Sequence, residues 1–291
     1  MGSLDSFRDE VREWLAENCP EEIRVGSRDR LARQPFDEWV RTLGTRGWAA
    51  PGWPEEYGGG GLDREHQAVL AQEMRAISAP PPGSFGLSML GPTILEFGTD
   101  EQKREHIPPI TRHEVIWCQG YSEPGAGSDL AGVQTRAVLE GDEYRVTGQK
   151  IWTTGAPHAD WIFCLVRTDP DAPKHEGISF LLLPMKQQGI DVSPIRLIDG
   201  SEHFAQVFFD GARAKASDVI GPVNGAGPSA SACCNTNGAS PTRRDARRAR
   251  RSARGSSASL ESSLECARAG WRIRRCASAS RSTRWTRRPS A

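Results

Sequence analysis

After Gly225 the large aliphatic residues almost vanish from this chain of 291 residues. The segment 226–263 is built nearly entirely from Ala, Ser, Gly, Cys and Arg. Such a stretch cannot bury enough apolar surface to offset the entropy of ordering its backbone. A packed core has to come from residues 1–225. The charge changes at the same place. From Ala226 onward there are 15 Arg and no Lys against three acids, whereas residues 1–225 carry 22 bases against 34 acids. The net charge of zero therefore conceals an acidic body and a basic, low-complexity tail, expected to be disordered over 226–291.

No run of 18 apolar residues is present, so no membrane span is expected. The N-terminal residues lack the apolar stretch of a signal peptide. Seven cysteines occur without a CxxC pair or a Cys/His metal spacing. This pattern points to a reducing cytoplasm, no disulfide framework and no metal. Fifteen arginines would hold phosphate with a steep salt dependence. The tail has only Trp271 and Trp285 as aromatics and no groove-reading motif, so no specific nucleic-acid partner is expected.

The first part of the body reads as helical. In 5-DSFRDEVREWLAEN-18, Phe7, Val11, Trp14 and Leu15 fall on one face. Further helices are expected over Phe36–Leu43, Asp63–Ile77 and Leu87–Phe97. Another starts at Thr99, where Thr99-Asp100-Glu101-Gln102 is a capping box, and ends near Pro108-Pro109. From Val115 the period changes to two. Strands are expected at 115–118, 133–139, 144–151, 161–167, 178–183, 192–197 and 206–209, separated by turn residues that include 140-EGD-142 and 210-DG-211. The fold class is α+β: an N-terminal α-helical domain (1–114), then a middle domain built as an antiparallel β-barrel or sandwich (115–225). Trp53, Trp117 and Trp161 are assigned to packing.

The stretch 119-QGYSEPGAGSDLAG-132 holds four Gly, one Pro and two Ser directly after a buried strand. So much small-residue backbone allows a ligand to approach the chain closely and offers N–H and hydroxyl donors. The loop is neither a Walker A sequence nor GxGxxG. With 120-GYSEPGAGSD-129 and 148-GQKIWTTGA-156 in that order, the sequence resembles the acyl-CoA dehydrogenase family. The stretches 48-WAAPGWPEEYGG-59, 96-EFGTDEQKREHIPPI-110 and 173-PKHEGISFLLLPM-185 support the likeness, which covers roughly residues 1–225.

The resemblance implies a middle domain that binds FAD, an acyl-CoA thioester substrate, a C-terminal four-helix domain, homo- or hetero-oligomers and an electron-transfer flavoprotein as acceptor. Carried over by position, Gln119, Gly120, Tyr121 and Ser122 would contact the isoalloxazine, chiefly through backbone. Gly127 and Ser128 would lie near the pyrophosphate, with Ser128 also on the acyl-CoA. Trp152 would stack on the flavin, and Thr153 and Thr154 would complete the set, with the Thr154 hydroxyl at the N5 region. The implied reaction removes the α-proton and the β-hydride of an acyl-CoA. Its Glu base belongs to the C-terminal helical domain, and nothing after Gly225 resembles that domain. Glu261 and Glu265 are the only Glu of the tail; neither is assigned as base, the catalytic residue is unknown, and Glu123 reads as structural. The alternative reading is a non-catalytic flavin- or acyl-CoA-binding subunit whose partner supplies the base.

The codon table offers an account of the tail. One permitted spelling of residues 226–238, read from its third base, gives WTVGKRLLQYER, a plausible helix start for the family. A change of reading frame near Gly225–Ala226 is therefore expected. The nucleotide sequence across codons 220–230 checks this. A neighbouring frame should carry long apolar-periodic text, and a gene without one contradicts the expectation.

Overall fold

The computed structural model of the chain describes residues 3–25 and 32–236. Helix α1 (Leu4–Asn18) starts where the Ser3 hydroxyl accepts the N–H of Ser6, and it buries Val11 and Leu15. Helix α2 (Arg33–Gly44) begins three residues before the expected Phe36. Pro35 lies in its first turn, where no backbone N–H is needed. Helix α3 (Arg64–Ala76) is capped by the Asp63 carboxylate, which accepts from the N–H groups of Glu65 and His66. A π-helical turn, Gly86–Leu90, leads into α4 (Gly91–Phe97).

In α5 (Asp100–Thr111) the expected capping box is present in both directions. The expected end at Pro108-Pro109 is not: the helix runs through both prolines to Thr111. The prolines remove two donors from the ladder. The last turn is held by other means. Ile107, Ile110 and Thr111 are buried, and Thr111 Oγ1 donates to the carbonyls of Pro108 at 2.9 Å and Tyr57 at 3.2 Å.

The β region forms one seven-stranded sheet: β1 (Trp117–Gly120), β2 (Arg136–Glu140), β3 (Glu143–Thr154), β4 (Trp161–Arg167), β5 (Ile178–Pro184), β6 (Ile190–Ile195) and β7 (Phe204–Lys215). The path is β1-β4-β2-β3-β7-β6, with β5 on β4. Most pairings are antiparallel, as expected, but β1 and β2 run parallel to β4. After β7 the chain returns to β5, where Ile220 N–H donates to Phe180 O and Ala226 N–H to Ile178 O, each at 2.8 Å. This return curls the sheet into a half-barrel.

Strands β4 and β5 are apolar on both faces because both faces are buried. Phe163, Leu165, Phe180 and Leu182 join the helical core of Phe36, Trp39 and Leu90. Ile162, Cys164, Leu181 and Leu183 join a second core inside the curl with Val146, Val207 and Phe209. The rings of Phe163 and Phe180 stack at 5.7 Å, nearly parallel. Trp117 is buried, and Trp53 and Trp161 pack partly buried against the first core.

The pair Asp210-Gly211, expected as a turn, lies inside β7. Gly211 is an extra residue at φ +74°, opposite a register shift between Val146 and Thr147. Before it Ala205, Val207 and Phe209 are buried; after it Ala212 and Ala214 are. The bulge changes the phase of burial from odd to even numbers.

Residues 227–236, assigned by composition to the tail, form helix α6 (Gly227–Thr236). Intrinsic propensity contributes little, since only Ala230 and Ala232 are strong helix formers; Pro228 sits in its first turn, and packing holds the helix. Ala226, Ala232 and Cys233 are buried, against the helical core in the case of Ala226 and Cys233. Everything expected of the tail past residue 236, including Trp271, Trp285, Glu261 and Glu265, lies outside the described residues. Among those residues no helix is long and apolar enough to cross a membrane, and Cys19, Cys118 and Cys164 are free thiols.

Replacing the cap by Thr99→Ala should cost about 1 kcal/mol and lower the melting midpoint by about 2–4 °C. Thermal unfolding followed by circular dichroism reads this, and an unchanged midpoint would contradict the role given to the capping box.

Candidate functional site

The two motifs meet. Strand β1 delivers the loop 121–132 to the side of β3, and Ile151 N–H donates to Ser122 O at 2.9 Å. Beneath that contact lies an ion pair in the core. Lys150 Nζ, fully buried, is 2.6 Å from Glu123 Oε1 and also donates to Leu165 O at 2.7 Å and Tyr121 O at 3.4 Å. Glu123 Oε2 accepts from Gln134 N–H at 2.6 Å and Oε1 from Thr135 N–H at 3.0 Å. Nearly all the hydrogen-bonding capacity of both groups is used, which is what a buried charge pair requires.

Burial pushes the Glu123 carboxyl up, but the charge of Lys150 and the donors around it outweigh this and hold it below the ordinary glutamate value. Burial moves the Lys150 ammonium the opposite way to its partner's attraction and leaves it below the ordinary lysine value. The Cys164 thiol, also buried, is pushed up to about 12. It stays neutral, so the carboxylate of Glu123 is the partner of Lys150.

The pinned loop turns tightly. Glu123 N–H donates to Ala126 O at 2.9 Å and Ala126 N–H to Glu123 O at 3.0 Å. Pro124, Gly125, Gly127, Ser128 and Asp129 are exposed. A Cβ placed on Gly125 or Gly127 would meet no protein atom within 4 Å. Internal packing therefore gives no reason for glycine at either position. Gly120 differs, because a Cβ there would come within 2.5 Å of Cys164 Sγ; β1–β4 packing alone demands glycine. Gln119 is half-buried in β1, and Ser122 is half-buried with its carbonyl taken by β3. The Tyr121 ring lies in the core, edge-on to Phe163 and Phe180.

The other motif is bent by a bulge. The register with β7 shifts between Lys150 and Thr153, and Trp152 takes φ +60°. For a bulky residue this backbone is an outlier. The result is an indole 54% exposed, edge-on to Phe204 at 6.0 Å. Thr154 is exposed as well, whereas Thr153 between them is buried, with no hydrogen-bond partner for its hydroxyl among the described residues. Of the expected set, then, Ser122, Gly127, Ser128, Trp152 and Thr154 reach the surface around one loop. Gly120, Thr153 and the Tyr121 side chain face inward.

Two organising residues were not singled out in the sequence. Lys150 occupies an inward position in phase with Tyr144 and Val146, and a lysine in that phase signals a buried carboxylate elsewhere. Arg167 is buried and holds the far end of the loop: its guanidinium donates to Ala131 O at 2.7 Å, Glu176 O at 2.6 Å and Lys174 O at 3.3 Å. Its place at the end of the apolar run of β4 carried no comparable signal.

Residues 3–114 match the N-terminal domain of acyl-CoA dehydrogenases, and residues 118–211 match the middle domain. The chain belongs to the acyl-CoA dehydrogenase family. It is 42% identical over 228 residues to the acyl-CoA dehydrogenase IpdE1 of Mycobacterium tuberculosis, which covers 76% of this chain and 59% of that one. Among solved structures it is similar to the Tcur3481-Tcur3483 steroid ACAD (38% identity, TM-score 0.67, 80% of this chain and 61% of that one). It is also similar to the ChsE4-ChsE5 complex from Mycobacterium tuberculosis (33% identity, TM-score 0.65, 81% and 60%). This acyl-CoA dehydrogenase family member thus spans about three fifths of the length of these relatives.

Lys150→Met leaves Glu123 as an uncompensated buried charge and should cost about 3–5 kcal/mol, measured by urea unfolding. The depressed carboxyl of Glu123 contributes stability above its unfolded value, and that contribution is lost as pH falls through the folded value. Stability should therefore decline on acidification below the ordinary glutamate range in the parent and decline less steeply in Glu123→Gln. Parallel pH profiles for the two proteins would contradict the assignment.

Proposed function

We propose that this chain carries the flavin-binding half of an acyl-CoA dehydrogenase, an enzyme that dehydrogenates the α,β bond of an acyl-CoA thioester. The observation that carries this reading is the Trp152 bulge: a strained, exposed indole held beside a glycine loop whose open positions have no packing reason to be glycine. A flat ring system fits such a cradle. Trp152 offers an aromatic face, and the loop offers close backbone approach at Gly125 and Gly127. FAD, when bound, supplies the hydride acceptor.

The chain's own residues bind and orient. Ser122 and the backbone of Gln119 to Ser122 would hold one side of the ring, and the Thr154 hydroxyl would be the donor toward its N5 region. Gly127 and Ser128 would receive the pyrophosphate and the acyl-CoA. Buried Thr153 sits behind the cradle and fixes the bulge. The division into 1–114 and 115–225 underlies this reading, with the second segment as the cofactor platform.

Proton abstraction needs a carboxylate beside the substrate. Glu123, the one acid inside the glycine loop that is buried, is occupied by Lys150 and two backbone donors. It cannot serve as base without breaking the fold. The base and the remaining cofactor contacts come from the portion of the relatives beyond the matched length. The second reading, a non-catalytic subunit that meets its base on a partner chain, is favoured by one of the solved relatives, the ChsE4-ChsE5 complex. In both readings an electron-transfer flavoprotein is the acceptor.

Titration of the purified chain with FAD, followed by tryptophan and flavin fluorescence, tests the proposal. We expect weak, saturable binding that Trp152→Ala lowers by about tenfold, the loss of roughly 1.4 kcal/mol that an aromatic stack supplies. Addition of acyl-CoA without oxygen should not bleach the flavin. No binding, or binding indifferent to Trp152, would overturn the cradle. Bleaching by the chain alone would overturn the division of labour.

A further inference from the structure

Away from the cradle, α5 meets the short turn Ala216–Asp218 that follows β7. Gln102 Nε2 bridges them by donating to Ser217 O at 2.6 Å and Val219 O at 2.8 Å. One helical turn further along, Glu105 and His106 face Asp218, and the three residues bring one ligand atom each within 4.8 Å of one another. A cavity of about 150 Å³ opens beside them, walled by Glu105, His106, Pro109, Val115, Trp117 and Trp161. That is room for at least one water.

The pairing inside this cluster is incomplete. His106 is 5% exposed, and its Nε2 has no hydrogen-bond partner among the described residues. Asp218 is buried too, with Oδ1 3.7 Å from that nitrogen, beyond hydrogen-bond range. Leaving an imidazole nitrogen unbonded in the interior, opposite a carboxylate it does not reach, is costly. A cation between them removes the cost. Metal bonds of about 2 Å in a tetrahedral arrangement set two ligand atoms roughly 3.3 Å apart, so a small inward movement suffices. Glu105 is the exposed member. Its other neighbour is Lys215 Nζ at 3.7 Å, a surface pair of little strength that can be exchanged.

We propose that Glu105, His106 and Asp218 form a binding site for a borderline divalent d-block cation of the Zn²⁺ type, bridging the helical region to the sheet. Imidazole with two carboxylates suits such ions, whereas Ca²⁺ and Mg²⁺ prefer oxygen alone and soft ions prefer thiolates. The two carboxylates neutralise the ion, and the fourth position opens toward the cavity. A water on the cation in that cavity also provides an acceptor for Trp117, whose buried Nε1 has no partner among the described residues. The cation acts as a staple beside the Gln102 bridge and takes no part in the flavin chemistry.

The test uses the full chain stripped with a chelator and titrated with Co²⁺, then with Zn²⁺ in competition. We expect one Co²⁺ per chain with the weak visible bands of nitrogen and oxygen ligands and no thiolate charge-transfer band, displaced by Zn²⁺, which also raises the melting midpoint. Glu105→Gln, at an exposed position where folding is undisturbed, should weaken binding by more than the ~10–100-fold that loss of an outer-shell partner costs. His106→Gln should do the same, and Cys266→Ser with Cys276→Ser should change nothing. Absence of binding, a thiolate band, or affinity unchanged in Glu105→Gln would overturn the proposal.

Discussion

The ion pair of Lys150 and Glu123 is the constraint on which the rest of the sheet's geometry depends. Two charges in the interior carry a desolvation penalty of several kcal/mol each, which only close pairing and full hydrogen bonding offset. Here the offset comes from the backbone itself. Glu123 collects N–H groups from Gln134 and Thr135, so the start of the next hairpin is fixed to the loop. Lys150 collects carbonyls from Tyr121 and Leu165, so β3 is fixed to β1 and β4. The near end of the glycine loop is thereby anchored in the interior, as Arg167 anchors its far end through Ala131 O, while the outer turn stays open. A well-packed apolar pair could match the stability. It could not tie four backbone segments to one place.

The strain at Trp152 belongs with that anchor. A bulky residue at positive φ costs on the order of 1–3 kcal/mol, and it persists only where its surroundings leave no alternative. Lys150 is pinned two residues before it, and Thr153 resumes pairing with Ala205 directly after it. The bulge turns the alternation of β3 over, so that Lys150 and Thr153 both face inward and the indole between them is pushed out. In a protein with no ligand to serve, an exposed Trp in a strained backbone would be a liability twice over.

Much of this was legible in the sequence because it is local. The apolar face of α1, the Thr99 cap and the alternation at the start of β3 each follow from a few neighbouring residues. What was not legible depends on partners far along the chain. Asp210-Gly211 reads as a turn until β3 is laid beside it and Gly211 becomes a bulge. The parallel pairing of β1 with β4 leaves no mark on either strand. Pro108 and Pro109 end a helix in isolation but not one whose last turn is held by Tyr57. Residues 227–236 look like tail by composition, yet small side chains are what a helix needs to sit close against α4. Within the site, the sequence brought forward the loop and the indole; it did not separate the exposed Gly127 and Thr154 from Gly120 and Thr153, which serve the sheet.

A crystal structure of the chain with FAD tests the account most directly. It predicts the isoalloxazine against the Trp152 indole, with the Gln119–Ser122 backbone along its edge, the Thr154 hydroxyl at N5 and the Lys150–Glu123 pair unchanged beneath. An isoalloxazine bound elsewhere, or a Trp152 that relaxes to negative φ and packs into the sheet when the cofactor is present, would contradict it.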